Sequence, residues 1–212
     1  MSQNSCRILT LAEALGLAAY IAWYIWDLQA SKPYSWIVFP IWLLASIALH
    51  RDTPKALGWR ADNLWPATRQ GLLIFIGFVV ASLLAGLSLG AFHRLPHSLQ
   101  WNRFFSYAAF CLLQQVALNS YLTNRLLYVF ENNFLAALVT GAIFSAMHWP
   151  NPVLVPLTFI GGVVMGWLFA RQRNIIPLAV GQAIIGTLVW WAFPVAWHHG
   201  MRVGPGYYNF HP

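Results

Sequence analysis

Four amide side chains and one imidazole stand in stretches of this chain that are otherwise apolar. Gln114, Gln115 and Asn119 fall in the run FFSYAAFCLLQQVALNSYLTNRLLYVF, residues 104–130. His148 ends the run FSAMH, one helical turn after Phe144, and Gln182 lies in LAVGQAIIGT. A primary amide offers an acceptor oxygen and two donor protons but takes up no proton near neutrality. A neutral imidazole does take one up. The set can therefore bind, orient and polarise, and only His148 in it can serve as a base.

The elements that must carry these residues are membrane helices. The 212 residues are 59% hydrophobic and 8% charged, whereas a soluble domain carries roughly 25% charged residues. Residues 104–130 are long and apolar enough to cross a bilayer as one helix. Gln115 and Asn119, four apart, share a face of that helix. In hydrocarbon an amide without partners is costly, so this face looks into protein. Singly, each polar residue has a plain structural explanation. Membrane Gln and Asn are often glue between helices worth about 1 kcal/mol, and a His beside Trp-Pro at a helix end often marks the interface. Three clusters on three segments predict a shared polar cavity between the fourth, fifth and seventh apolar segments, reached by Gln114 or Gln115, His148 and Gln182.

Those segments are about Ile8–Leu28, Tyr34–Leu49, Gly71–Phe92, Phe104–Phe130, Phe134–Trp149, Val153–Ala170 and Ile175–Trp197. The expectation is an all-α, polytopic transmembrane bundle of about seven helices, with residues 1–212 forming one integral membrane domain. The start lacks a secretory signal pattern, so the first run is read as a membrane helix. Between the second and third segments RDTPKALGWRADNLWPATR alternates Leu57, Trp59, Leu64 and Trp65 with charge, which suits headgroup depth. Trp36, Trp101, Trp149 and Trp197 near segment ends suit an interfacial aromatic belt, as do His198, His199 and the tail 200–212. With seven spans, Arg7, Arg51, Lys55, Arg60, Arg69, Arg125, Arg171 and Arg173 fall on one side, against Lys32, Arg94, Arg103 and Arg202 on the other. The positive side is cytoplasmic, which places the N-terminus inside and the C-terminus outside a bacterial cytoplasmic membrane. The net charge of +7 then reflects topology and anionic lipid, not nucleic acid. Cys6 and Cys111 lie in different environments, and no disulfide between them is expected.

The motifs resemble those of the CAAX-protease and bacteriocin-processing (CPBP or Abi) family of intramembrane proteases. The family's first motif is two glutamates, three residues, then an arginine, with an Arg-Leu further on. In QQVALNSYLTNRL, Gln114 and Gln115 fall on the glutamates, Asn119 on the arginine, Ser120 on a glycine common there, and Arg125-Leu126 on the distal pair. The second motif, Phe, three residues, His, is met by Phe144 and His148. FIGGVVMGWLFARQRNIIPLAVGQAIIG is similar to the next family stretch, with Gln182 on a histidine and Gly186 on an asparagine. The resemblance covers about 53–187 and is firmest over 104–187. It implies the fold of the CAAX prenyl protease core and an endopeptidase in which a glutamate activates water while histidines and an asparagine hold the carbonyl or its oxyanion.

Against that pattern both glutamates are amides here, and an amide cannot be a general base. Of the catalytic-type positions only His148 remains, and it is the one catalytic candidate. Gln114, Gln115, Asn119, Phe144 and Gln182 are binding candidates. Glu13 and Asp27 are the acids nearest membrane depth, and the sequence does not say what they face. Zinc asks for three or four ligands, while only His148 and Cys111 are at hand, so no metal and no cofactor is expected. The reading favoured is a family member without peptidase chemistry whose amide-lined pocket takes a lipid-like or other apolar ligand, a peptide, or a partner helix. Two alternatives stay open: a membrane enzyme, proteolytic or not, using His148, and a structural subunit of a membrane complex in which the amides are only glue. Membrane lipids are partners on any of these readings, and nucleic acid on none.

Overall fold

A computed structural model describes residues 2–92 and 97–210, without the side chains of residues 97–101. Arg94 and His211 lie outside the described residues, as does the side chain of Trp101. Among the described residues the chain is helical with no strand. Helix α1 (Gln3–Trp23) runs through a π-helical turn (Tyr24–Leu28) into α2 (Gln29–Ser31). A 3-10 segment (Pro33–Ile37) leads into α3 (Val38–His50), and α4 spans Leu64–Leu89. Then α5 (His97–Gln115), a π-helical segment (Val116–Thr123) and α6 (Asn124–Phe130) form one continuous helical body. The hairpin of α7 (Asn133–Ala146) and α8 (Leu154–Gln172) follows, and α9 (Ile176–Ala192) completes the bundle. Two short helices, α10 (Val195–His198) and α11 (Pro205–Tyr208), end the chain.

The polytopic helical bundle read from hydropathy is the fold. Residues 3–31, 33–50, 64–89 and 154–172 are long and apolar enough to cross a membrane, and Asn133–Ala146 is a shorter apolar helix. The seventh segment departs from the straight span expected over Ile175–Trp197. Its helix stops at Ala192 and is bent by 118° from Val195–Met201. Phe193 is extended, as the residue before proline tends to be, and Pro194 has no N–H with which to continue the ladder.

Packing places the π-helical segment at the centre, touching α3, α5, α6, α7 and α8. Its Leu118, Tyr121 and Leu122 join Phe144, Met165, Leu168 and Phe169 in the core. Helix α9 lies against both α4 and α5, and α7 lies along α8. The α7–α8 contact is backbone-close because small residues face each other: a Cβ on Gly141 would stand 2.7 Å from the Phe159 carbonyl, and one on Gly162 2.8 Å from the Gly141 Cα. Small residues let membrane helices approach in this way, so that van der Waals contact stands in for the weak hydrophobic force in lipid.

The polar connection after α3 differs in part from the expected headgroup-level segment. Trp59, Leu64 and Trp65 are exposed, but Leu57 is buried. The Ile175 N–H donates to the Gly58 carbonyl (3.1 Å), and Asn174 Nδ2 to Asn63 Oδ1 (2.8 Å). These bonds tie the connection to the α8–α9 turn. The adjacent histidines also divide. His199 stacks on Tyr207, whereas His198 is fully buried because Asn151 of the α7–α8 turn draws in its carbonyl (2.8 Å). Cys6 and Cys111 are free thiols.

Candidate functional site

The first-motif amides sit where α5 gives way to the π-helical segment. A π segment widens the helix and often accompanies a functional position. Here the side chains of Gln115, Asn119 and Thr123 follow one another along it. Asn119 Nδ2 donates to Gln115 Oε1 (2.5 Å), and Thr123 Oγ1 to Asn119 Oδ1 (2.9 Å). Thr123 and Thr140 pair their hydroxyls across to α7 at 3.0 Å. In the other direction Gln115 Nε2 donates to Gln182 Oε1 on α9 (2.6 Å), and Gln182 Nε2 donates to Gln114 Oε1. Gln115 Nε2 also meets the Met165 sulfur at 3.0 Å. Gln115, Asn119, Thr123 and Thr140 are wholly buried, while Gln114 and Gln182 are half-buried.

The structure thus brings Gln114, Gln115, Asn119 and Gln182 into one donor-to-acceptor chain, extended by two threonines that the sequence reading missed. Spacing was the available signal: Thr123 continues the four-residue step from Gln115 through Asn119. The chain is electrically neutral, and its members spend their hydrogen bonds on one another. It can position and rigidify, and it holds no group that takes up a proton.

His148 stands apart from the chain. Its Nδ1 lies 2.7 Å from the Phe144 carbonyl, which can only accept, so Nδ1 carries the proton and Nε2 is the basic nitrogen. The imidazole meets the Phe144 ring edge-on, centroids 4.7 Å apart. No hydrogen bond joins His148 to the amides among the described residues. The C-terminal stretch closes over the same turn, with the Gly204 N–H donating to the Trp149 carbonyl (2.9 Å).

Gly186 is filled from outside. A Cβ there would fall 2.1 Å from the Tyr107 hydroxyl. Tyr107 of α5 occupies the space that a side chain at position 186 would need.

All five carboxylates are engaged elsewhere. Glu13 is bound to His50 (2.9 Å) and lies 3.8 Å from Arg125. Asp27 accepts from Trp23 (3.2 Å), Asp52 from Arg125 (2.6 Å), Asp62 from Arg60 (2.5 Å) and Glu131 from Arg7. Around buried Arg125 these contacts form a second polar cluster. Its guanidinium also donates to Ser46 Oγ (2.8 Å) and lies over the Tyr121 ring. Tyr121 donates from its hydroxyl to Glu13 and receives the Trp42 indole N–H at 3.1 Å. The sequence reading assigns Arg125 to the Arg-Leu pair and to the Lys and Arg bias, not to a buried cluster. A guanidinium in an apolar run, with Glu13 in another, was the signal for this cluster. No group of three or more His, Cys, Asp or Glu that could hold a metal occurs among the described residues.

Outside the spans, a charged partner and burial move pKa values in opposite senses. The Arg60 guanidinium holds the Asp62 carboxyl down at about 2, and Asp62 raises the pKa of Arg60 in turn. Burial lowers that of Arg173, with nearby Asp52 opposing.

With this geometry in view, the comparison with protein families is specific. Residues 101–188 match the family model described as type II CAAX prenyl endopeptidase Rce1-like. The Rce1-like segment bears out the resemblance read from the motifs. It runs from α5 into α9 and contains the entire amide chain together with Phe144 and His148. No curated protein and no solved structure matches the chain.

Proposed function

We propose that this CAAX-protease-like membrane protein does not cleave peptides, and that its helical core binds an apolar ligand or a partner helix. The observation behind the reading is the closed chain Gln114–Gln182–Gln115–Asn119. The resemblance calls for a water-activating carboxylate at 114 or 115, and neutral amides bonded to one another stand there instead. General-base assistance is worth about 10²–10⁴-fold in rate, and one oxyanion donor roughly 10²–10³. Losing both leaves too little for turnover. Neutralising the glutamates together with the arginine position avoids leaving one buried charge alone, which is how a fold outlasts its chemistry. The same amides can fix the helices around an apolar guest without reacting with it. On this reading the N-terminus and the 51–63 connection face the cytoplasm of a bacterial cell, following the Lys and Arg bias. Reporter fusions giving the same side for residue 60 and residue 207 count against that placement.

The test of inactivity uses the full chain in nanodiscs with prenylated and unprenylated peptides. The unmodified protein is expected to be silent. Turnover that vanishes in His148→Ala would falsify the proposal and identify an enzyme working through the Nε2 base. The restored set Gln114→Glu, Gln115→Glu, Asn119→Arg, Gln182→His and Gly186→Asn needs Tyr107→Ala as well, because the Tyr107 ring fills the space at 186.

A further inference from the structure

A second polar centre lies at one end of the bundle, where α3, α6 and α8 finish and α7 begins. A cavity of about 540 Å³ opens there, lined by His50, Asn124, Arg125, Tyr128, Asn133 and Arg173 and by two carboxylates, Asp52 and Glu131. Tyr128, Glu131 and Asn133 are exposed, so the cavity reaches the surface. This is where the chain leaves its apolar spans.

The charges divide unequally. Asp52 is held by Arg125 at 2.6 Å, Glu131 is taken by Arg7, and His50 is paired with Glu13. At contact distance Arg173 meets neutral groups, Asn124 Oδ1, the Ala56 carbonyl at 3.3 Å and the face of the Phe169 ring, while Asp52 acts on it from beyond ion-pair distance. A half-buried guanidinium whose hydrogen bonds go only to neutral oxygens has no carboxylate of its own, since nearby Asp52 is held by Arg125. The buried Asn124 amide, whose Nδ2 reaches Asp52 Oδ1 only at 3.5 Å, and the start of α7 line the same cavity, and a helix start favours an anion. A guanidinium takes two oxygens of a phosphate at once, a geometry that carbonyl partners do not satisfy.

We propose that this cavity binds a phosphate-class oxyanion through Arg173, with Asn124 and the Asn133 end of α7 completing the site. The oxyanion is carried either by the headgroup of an anionic phospholipid or by a free phosphate. The 540 Å³ volume holds a headgroup, and its polar lining excludes the acyl chains, which remain outside against Tyr128 and the apolar faces of the helices.

The experiment takes the full chain in detergent and measures two probes. Native mass spectrometry counts phosphatidylglycerol retained against phosphatidylcholine from an equimolar mixture, and thermal unfolding is followed against inorganic phosphate, with chloride at matched ionic strength as control. Phosphatidylglycerol enrichment identifies the lipid source, and stabilisation by phosphate identifies the free ion. In either case Arg173→Ala should weaken binding roughly tenfold, the loss expected for charge-assisted hydrogen bonds. Asn133→Asp keeps the fold, since an acid suits a helix start, and by adding a negative charge at the rim it should weaken binding several-fold. If neither probe is preferred over its control, or if binding is unchanged in the variants, the proposal is overturned. Should Arg173→Ala not fold, Asn133→Asp decides alone, and an affinity equal to that of the unmodified protein overturns the site.

Discussion

Two buried polar networks cross this bundle, and they are built in opposite ways. The amide chain from Gln114 to Thr140 lies within the Rce1-like segment and contains no formal charge. The cluster around Arg125 keeps a guanidinium, Asp52 and Glu13 in contact. Neutral amides tolerate depth, because each lost partner costs one hydrogen bond. Ions tolerate depth only in pairs and only near water, and the Arg125 cluster borders the cavity at the bundle end. The difference teaches that charge was kept where it ties α1, α3 and α6 together and is absent where the resemblance placed catalysis.

The sharpest way to break this comparison is Arg125→Met. It leaves Asp52 and Glu13 without their guanidinium and should cost about 3–5 kcal/mol, read as a fall in unfolding temperature in detergent. A loss no larger than that of an amide variant would erase the distinction between the networks. Next in size is Gly186→Asn, which drives a side chain into Tyr107. Overpacking of this kind costs about 1–3 kcal/mol. Adding Tyr107→Ala should recover part of that loss, and strictly additive losses in the double variant would refute the filled-space account. Gln182→Leu removes the link between Gln114 and Gln115 at a half-buried position, and about 1 kcal/mol is expected, measured in the same assay.

The smallest effect concerns the exposed Arg60–Asp62 pair. The folded carboxyl sits near 2, below its usual 3.8. Its contribution is therefore fully present above about pH 4 and disappears as pH falls toward 2. Unfolding temperatures of the unmodified protein and Asp62→Asn should differ slightly at neutral pH and converge over that acid window. A gap that widens on acidification contradicts the sign.

The sequence determined the architecture, because hydropathy acts locally. Each apolar run had to become a helix to satisfy its backbone in lipid, and helices formed near the expected places from Gln3 to Ala192. It also determined the chemistry missing from the motif positions, since an amide is an amide in any fold. Pairing was beyond its reach. That Gln182 bonds both glutamines, that Tyr107 fills the room beside Gly186, and that Arg125 gathers Asp52, Ser46 and Glu13 are contacts between residues far apart in the chain. No periodicity encodes them. The bend after Ala192 was half legible in Phe193-Pro194, but only packing against the α7–α8 turn fixed its direction and buried His198. Tertiary structure alone decided which polar groups meet, because a buried donor must take whichever acceptor the packed helices bring within reach.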